Sequence, residues 1–372
     1  MKKVLSIFVA TVFITTLLSG ITIFAAEKVV VIGEGWDNLT YHWEEDATPN
    51  TNALKTGTLT IDEWNYAFKI DILRGNTLCI YHTTAEMLDV EEFYFPQSMI
   101  IGDTTYRFTQ IGAGVKGKSV FGNTSNTATG KNTNVKKVVI PEGYTTIKGY
   151  SFIDCLIEDL KLADSISSIG YAAFVRTEIT DLKLPDSLIE IGNNANVFGL
   201  CKSLKTVTLG KKMTILPQTY FQQCSALEKV IVTNSSVFPT DSGSGNTGSF
   251  YSCKALAKIY YPAANSYETV PHFNTAPDAA AYIPYGGYID SFENNGTSTS
   301  VTYTVSDPFE HSSVVCVIAV YDNDNTMLAA KKVPASDELA TVTFDVAGVA
   351  NVKAFIWNNL SDATPLYNAY SK

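Results

Sequence analysis

The chain has 372 residues, a length that suggests two or three domains. Lys and Arg number 27 against 37 Asp and Glu, a formal charge of −10. That balance argues against a nucleic-acid partner, because such binding rests on clustered basic side chains. At the amino terminus Lys2 and Lys3 precede an uncharged apolar run from Val4 to Phe24, and Ala25-Ala26 stand before Glu27. This is the pattern of a secretory signal, so residues 1–26 are set apart from the fold and the protein is expected to be exported. The run is also long enough for an uncleaved membrane anchor, which needs about 20 residues. No cysteine lies near the cut, which leaves no point for lipid attachment.

Residues 27–92 offer short strands at Val29 to Ile32, Thr58 to Ile61, Phe68 to Leu73 and Leu78 to Tyr81. They form no clear repeat and are assigned to an amino-terminal β cap, since a solenoid must cover its exposed end. Phe93-Tyr94-Phe95-Pro96 and Ile111-Gly112 then open a first, degenerate repeat. The Gly-, Asn- and Thr-rich piece from Gly122 to Asn134 reads as a loop inserted into it.

From Val135 to Pro262 one short pattern is written repeatedly. Its phenylalanines, Phe152, Phe174, Phe198, Phe221 and Phe250, are separated by 22, 24, 23 and 29 residues. Cysteine follows three residues later at Cys155, Cys201, Cys224 and Cys253, with Thr177 in the remaining unit. Each unit also carries apolar residues spaced by two: Val138/Ile140, Leu160/Leu162, Leu182/Leu184, Val207/Leu209, Val230/Val232 and Ile259/Tyr261. That spacing suits a strand with one buried face. A unit with so few large apolar side chains cannot close a core alone, and a fixed period in this range predicts a parallel-sheet solenoid over 93–275. Residues between and before each apolar pair must then point outward.

The repeat reads L-x-x-L-x-L-P, I-x-x-I-G and A-F-x-x-C at its clearest, in Ile179 to Pro185, Ile169-Gly170 and Ala173-Phe174. In this form it resembles the BspA-like leucine-rich repeat family over roughly Phe93 to Pro262. Leu216-Pro217 in place of Ile-Gly, the lengthened turn from Asn193 to Val197 and Thr177 are departures in single turns. The resemblance implies a bacterial secreted or surface protein that binds other macromolecules and has no catalytic residues to transfer.

Ser235 to Ser249 reads as a mobile insertion that stretches the last repeat. Residues 276–290, rich in Pro, Ala and Gly at their start, are expected as a linker. Strands with period two follow at Val301/Tyr303/Val305, Val314 to Tyr321, Val342/Phe344/Val346 and Val352/Ala354/Ile356. They predict a small antiparallel β-sandwich over 291–372. The stretch Lys353 to Leu366 resembles a carboxy-terminal module of many exported clostridial-type proteins, which says little about its role.

Chemistry-bearing patterns are sparse. Gly112-Ala-Gly114-Val-Lys-Gly117 has the glycine spacing of a dinucleotide site but no helical period after it, so Gly112 is a turn residue and no cofactor is expected. The repeat cysteines recur at one position and should form a column of buried thiols, each S–H reaching a backbone carbonyl. No C-x-x-C pair suggests zinc, and the histidines His42, His82, His272 and His311 are scattered. Asp322 to Asn325 reads as a hairpin turn. Trp36, Trp43, Trp64 and Trp357 offer stacking platforms for a carbohydrate as a second reading.

The expected function is therefore that of an exported, non-catalytic interaction protein, free of nucleic-acid and cofactor chemistry, whose partner is a protein or cell-surface polymer. The alternative is a carbohydrate-binding accessory that uses the terminal sandwich or the exposed aromatics. The candidate binding face is the outward strand columns: Lys137, Asp159, Lys161, Asp181, Lys183, Thr206, Thr208, Lys229, Ile231, Lys258 and Tyr260. Ile231 and Tyr260, expected as exposed apolar neighbours, are its candidate anchors.

Overall fold

A computed structural model describes residues 29–82, 88–116, 118–123, 134–191, 196–234, 236, 238–241, 243–263, 273–309, 311, 314–357 and 370–371. The expected signal segment, Gly117, Gly192, His272 and most of the loop from 122 to 134 lie outside them. Among the described residues the fold is β throughout, with two single-turn 3-10 segments at Asp62–Trp64 and Gly245–Thr247.

The repeats stack as their spacing requires. Glu92–Tyr94, Lys137–Ile140 and Asp159–Leu162 form one parallel ladder, in which Phe93, Val138 and Leu160 are successive register partners. Asp181–Lys183, Thr206–Thr208, Lys229–Ile231 and Lys258–Pro262 form the next, with Leu182, Val207, Val230 and Ile259 in register. The Thr180 N–H on the Glu158 carbonyl, 3.3 Å away, joins the two ladders. A second parallel sheet collects the Ile-Gly positions, where Ile111, Ile147, Ile169 and Ile191 are partners. One continuous core runs between them from Val31 to Ala280.

Along the third side runs the phenylalanine column. Phe152 stacks on Phe174 at 5.0 Å, Phe174 on Phe198 at 5.1 Å, Phe198 on Phe221 at 5.8 Å and Phe221 on Phe250 at 5.7 Å, all within 17° of parallel. Phe121 and Phe273 extend the column at its two ends, 5.6 and 5.0 Å from their neighbours. Each phenylalanine is held in a turn whose backbone is left-handed two residues later, at Asp154, Arg176, Leu200, Gln223 and Ser252. This conformation aims N–H groups at the following unit: Phe174 donates to Val197 O and Arg176 to Gly199 O. No glycine occupies these five positions, so ladder bonds and packing offset a conformation that disfavours most side chains by about 1 kcal/mol or more.

At the amino end Tyr41–Glu45, Lys55–Ile61, Tyr66–Leu73 and Thr77–His82 form an antiparallel meander, and its last strand pairs parallel with Thr104–Ile111. The first of these strands was not expected. Trp36 is buried beneath the meander and gives its indole N–H to the Tyr94 carbonyl at 2.7 Å.

Two expectations are corrected near the carboxy end. Residues 276–290 do not form a free linker, because Ala281–Asn294 is a single fourteen-residue strand. Its first five residues pair parallel with Lys258–Pro262, and from Gly286 it pairs antiparallel with Thr299–Ser306. The alternating apolar side chains of Ile283, Tyr285 and Ile289 each find a buried site, which overrides the local Pro and Gly content. The stretch from 235 to 249, in turn, is not a loose insertion in its described part. Thr240–Asp241 pairs with Ile215–Leu216, and the buried Asp241 carboxylate accepts from the N–H of Ser249 at 3.1 Å and its hydroxyl at 2.8 Å. A carboxylate in place of an apolar residue hid this rung in the sequence.

Beyond Asn294 two antiparallel layers share a core of their own. One holds Ala281–Asn294, Thr299–Ser306 and Ser336–Phe344. The other holds Met327–Val333, Val315–Tyr321, Asn351–Trp357 and Tyr370–Ser371. Asp322 accepts the N–H groups of Asp324 and Thr326, as a hairpin turn requires.

Phe198 is fully buried between two parallel rings. Phe198→Ala is therefore expected to lower stability by about 3–5 kcal/mol, measured as the urea midpoint with the slope held equal. At exposed Gln223, where φ is 59°, Gln223→Gly should leave the midpoint within about 0.5 kcal/mol, whereas the β-branched Gln223→Val should lose at least about 1 kcal/mol. Equal losses for both substitutions would mean that backbone handedness is not what the position demands.

Candidate functional site

The outward columns of the two strand ladders form one surface, and it divides in two. The open part begins one rung earlier than the candidate residues suggest. Glu92 pairs with Lys137 and Tyr94 with Val139, so both extend the outward columns. Lys137 Nζ donates to the Tyr94 hydroxyl at 2.8 Å and to Glu92 at 2.9 Å, and it lies 5.1 Å from the Tyr94 ring centre. Bonds from Tyr94 and then Lys137 lower the Glu92 carboxyl, while Tyr94 and then Glu92 raise the Lys137 ammonium, so both stay charged at neutral pH. Aligning Phe93-Tyr94-Phe95-Pro96 with Val138-Val139-Ile140-Pro141 was the sequence signal for these two residues.

Asp159 and Lys161 follow, paired at 2.8 Å, and then exposed Asp181 and Lys183 and half-buried Thr206 and Thr208. The open face thus carries both signs along one row (Glu92, Lys137, Asp159, Asp181) and two lysines in the next, Lys161 and Lys183. Such side chains in water contribute little to the fold, typically well under about 1 kcal/mol per ion pair. Hydrogen-bonding capacity and charge pattern are what they offer a partner.

The remaining candidates do not lie open. Ile231 is 2% exposed and Tyr260 4%, which corrects the expectation of exposed apolar anchors. The next strand completes the covered patch: Ile283 and Tyr285 join Ile231 and Tyr260 in a separate apolar cluster. The Tyr285 hydroxyl donates to Val232 O at 3.0 Å, and its ring meets Phe309 at 5.6 Å. Lys229 Nζ reaches the Pro308 carbonyl at 3.4 Å. Lys258 and the Tyr260 hydroxyl both donate to one oxygen of Asp337, at 2.7 Å each, while Ser306 donates to the other at 2.7 Å. The sequence showed two apolar residues among polar ones but not the chain returning from some 80 residues away to cover them.

Burial works against the Asp337 charge, yet the bonds from Lys258, Ser306 and Tyr260 outweigh it and hold the carboxyl below its ordinary value. Burial and then the bond to Asp337 push the Tyr260 hydroxyl up to about 12. Neither group titrates near neutrality.

The thiols take the expected role. Cys201 donates to Phe174 O at 3.2 Å, Cys224 to Phe198 O at 3.1 Å and Cys253 to Phe221 O at 3.0 Å, each reaching back one unit. Thr177 instead donates within its own unit, to the same Phe174 O at 3.0 Å, and all six cysteines are free and buried. Among the described residues no group of three His, Cys, Asp or Glu is placed to hold a metal ion. Trp43 and Trp64 pack partly buried against the core, and Trp357 stacks on Phe355 at 5.4 Å. Among the described residues no helix is long and apolar enough to cross a membrane.

Residues 126–256 and 198–274 match the family described as BspA type leucine rich repeat region, in six copies. Two solved structures are similar. A leucine-rich repeat protein from Eubacterium ventriosum ATCC 27560 is 16% identical, with a TM-score of 0.32, over 58% of this chain and 59% of that one. The chain therefore spans less than two thirds of that protein. A leucine-rich repeat protein from Bacteroides ovatus ATCC 8483 is 14% identical, with a TM-score of 0.28, over 65% of this chain and 77% of that one. No curated protein matches the chain.

Because the Asp337 side chain is 32% exposed, its loss should cost about 1 kcal/mol rather than the full value of a buried charged bond. Asp337→Asn is expected to lower the urea midpoint accordingly at pH 7. A depressed carboxyl stabilises the fold above its ordinary value and ceases to do so as pH falls through the lowered one. The gap between the two proteins should hence close as both are acidified through that lowered value.

Proposed function

Because the chain belongs, through its repeat region, to the BspA-type leucine-rich repeat proteins, we propose that it is an exported, non-catalytic interaction protein. Its binding face is the open part of the outward strand ladder, from Glu92 and Tyr94 through Lys137, Asp159, Lys161, Asp181 and Lys183 to Thr206 and Thr208. The observation that carries this reading is the register. Five rungs hold their outward side chains in register, in rows with both signs of charge interspersed. Such a surface recognises by complementarity over area, and its charges choose the partner and speed the encounter more than they add affinity. A protein partner suits it, because a folded surface presents both charge signs where a uniform polyanion or polycation does not. Export is supported by the basic-then-apolar pattern of residues 1–26.

The test compares two charge-matched variants of the full chain, immobilised and offered biotin-labelled surface proteins. Lys161→Glu with Lys183→Glu lies on the face, and Lys202→Glu with Lys254→Glu lies on the exposed turns beside the phenylalanine column. Capture should fall at least about tenfold for the first pair and persist for the second, with melting temperatures alike. If both pairs capture as the parent does, the outward ladder is not the binding face.

A further inference from the structure

The covered end of the face has the parts of a closure. The solenoid and the two-layered carboxy-terminal unit have separate cores, and a third cluster of Ile231, Tyr260, Ile283 and Tyr285 belongs to neither. Two of these, Ile283 and Tyr285, sit on the strand that stays paired with Lys258–Pro262. What the unit itself lays over the solenoid is small and largely polar: the Pro308 carbonyl, the Phe309 ring, and Asp337 with Ser306 behind it. Where the strand changes partners stand Gly286 and Gly287. Gly286 has φ +89°, a conformation that side chains rarely adopt, and a Cβ on Gly287 would lie 2.4 Å from that of Ala354. The change of strand partner at these two residues is the point about which the unit would swing.

We propose that the carboxy-terminal unit is a hinged cover on the binding face. Gly286-Gly287 is its hinge, and Asp337, bonded to Lys258 and Tyr260, is its latch. Closed, it lays Asp337 and Phe309 on the cluster of Ile231, Tyr260, Ile283 and Tyr285 and leaves the polar rungs on offer. Open, it adds the apolar side chains of that cluster to the end of the same rows, the composition found at the centre of tight protein interfaces. The proposal presupposes that the outward face binds, whereas its test reads the cover with no partner present. Contacts between domains of one chain favour relative motion, and Asp337, which accepts from Lys258, Tyr260 and Ser306 together, is the residue whose loss should shift the closed population.

All six native thiols are buried, so a cysteine placed under the cover reports its opening without background. Full-length Ile231→Cys is treated with Ellman's reagent beside Lys183→Cys, which lies on the open part of the face. The covered thiol should react at least about tenfold more slowly than the open one. Adding Asp337→Asn should speed the covered thiol about tenfold and leave the open one unchanged, with the native thiols still silent as proof of folding. Tyr260→Cys provides the same reading should Ile231→Cys misfold. A covered thiol as fast as the open one would show that no cover is closed. A slow rate indifferent to Asp337→Asn would show that Asp337 is not a latch. Either result overturns the proposal.

Discussion

Each unit of this solenoid finishes the structure of its neighbour, and everything else depends on that debt being met at one spacing. A single repeat has one phenylalanine, one thiol or hydroxyl and a few aliphatic side chains, too little to exclude water. In the stack its ring lies parallel to the rings on either side, and its thiol satisfies the carbonyl of the preceding phenylalanine. Its left-handed turn residue, meanwhile, sends an N–H forward to the following unit. Hydrophobic burial and hydrogen bonding act across the same boundary, so a unit shifted by one residue would lose both together. This explains why the thiols persist in a chain whose sequence predicts export. A thiol column whose S–H groups reach carbonyls one unit back already fills the position, and the Phe174 and Phe221 carbonyls accept the Thr177 and Cys224 N–H groups as well.

The same constraint explains which parts of the fold were legible in the sequence. Leu160, Leu182, Val207 and Val230 were assignable to successive rungs because one-sided burial imposes a period of two within each strand and the stack repeats it. The first rung at Phe93 followed from the same alignment. Phe121 and Phe273 were missed as ends of the aromatic column, since long or irregular segments flank them and the cysteine is absent after each. Asp241 was missed for a different reason: a carboxylate at a core position is tolerated only because Ser249, Thr275 and Gly243 supply donors from elsewhere in the chain. No periodicity encodes that. Tyr41–Glu45 alternates only weakly, with its exposed side chains on an edge of the sheet, so its pattern was too faint to read.

The outward face shows where local reading fails in principle. For Lys137 to Thr208 outward direction and exposure coincide, and the sequence pattern was sufficient. For Ile231 and Tyr260 direction was right and exposure wrong, because whether an outward residue meets water is decided by chain far away. The warning was in the composition of the row itself. Val139, Lys161, Lys183 and Thr208 give way to Ile231, Tyr260 and Ile283, and a parallel sheet turns apolar on both faces where something covers both.

That change of character also answers how the solenoid ends. A last rung presents unpaired backbone groups and half of a core, which invites another chain to add to it. The amino end meets this with an antiparallel meander that continues one sheet. The carboxy end meets it with one strand that serves as the final rung for five residues and then leaves to found a second core. Over its first five residues that strand is paired with Lys258–Pro262 on one side, and it takes its next partner, Thr299–Ser306, only from Gly286 on. At the departure Gly287 answers to packing, since a Cβ there would lie 2.4 Å from that of Ala354, while Asp337 holds what lies beyond it by its bonds to Lys258 and Tyr260. On the proposed reading, that carboxylate sets how much apolar surface the face presents.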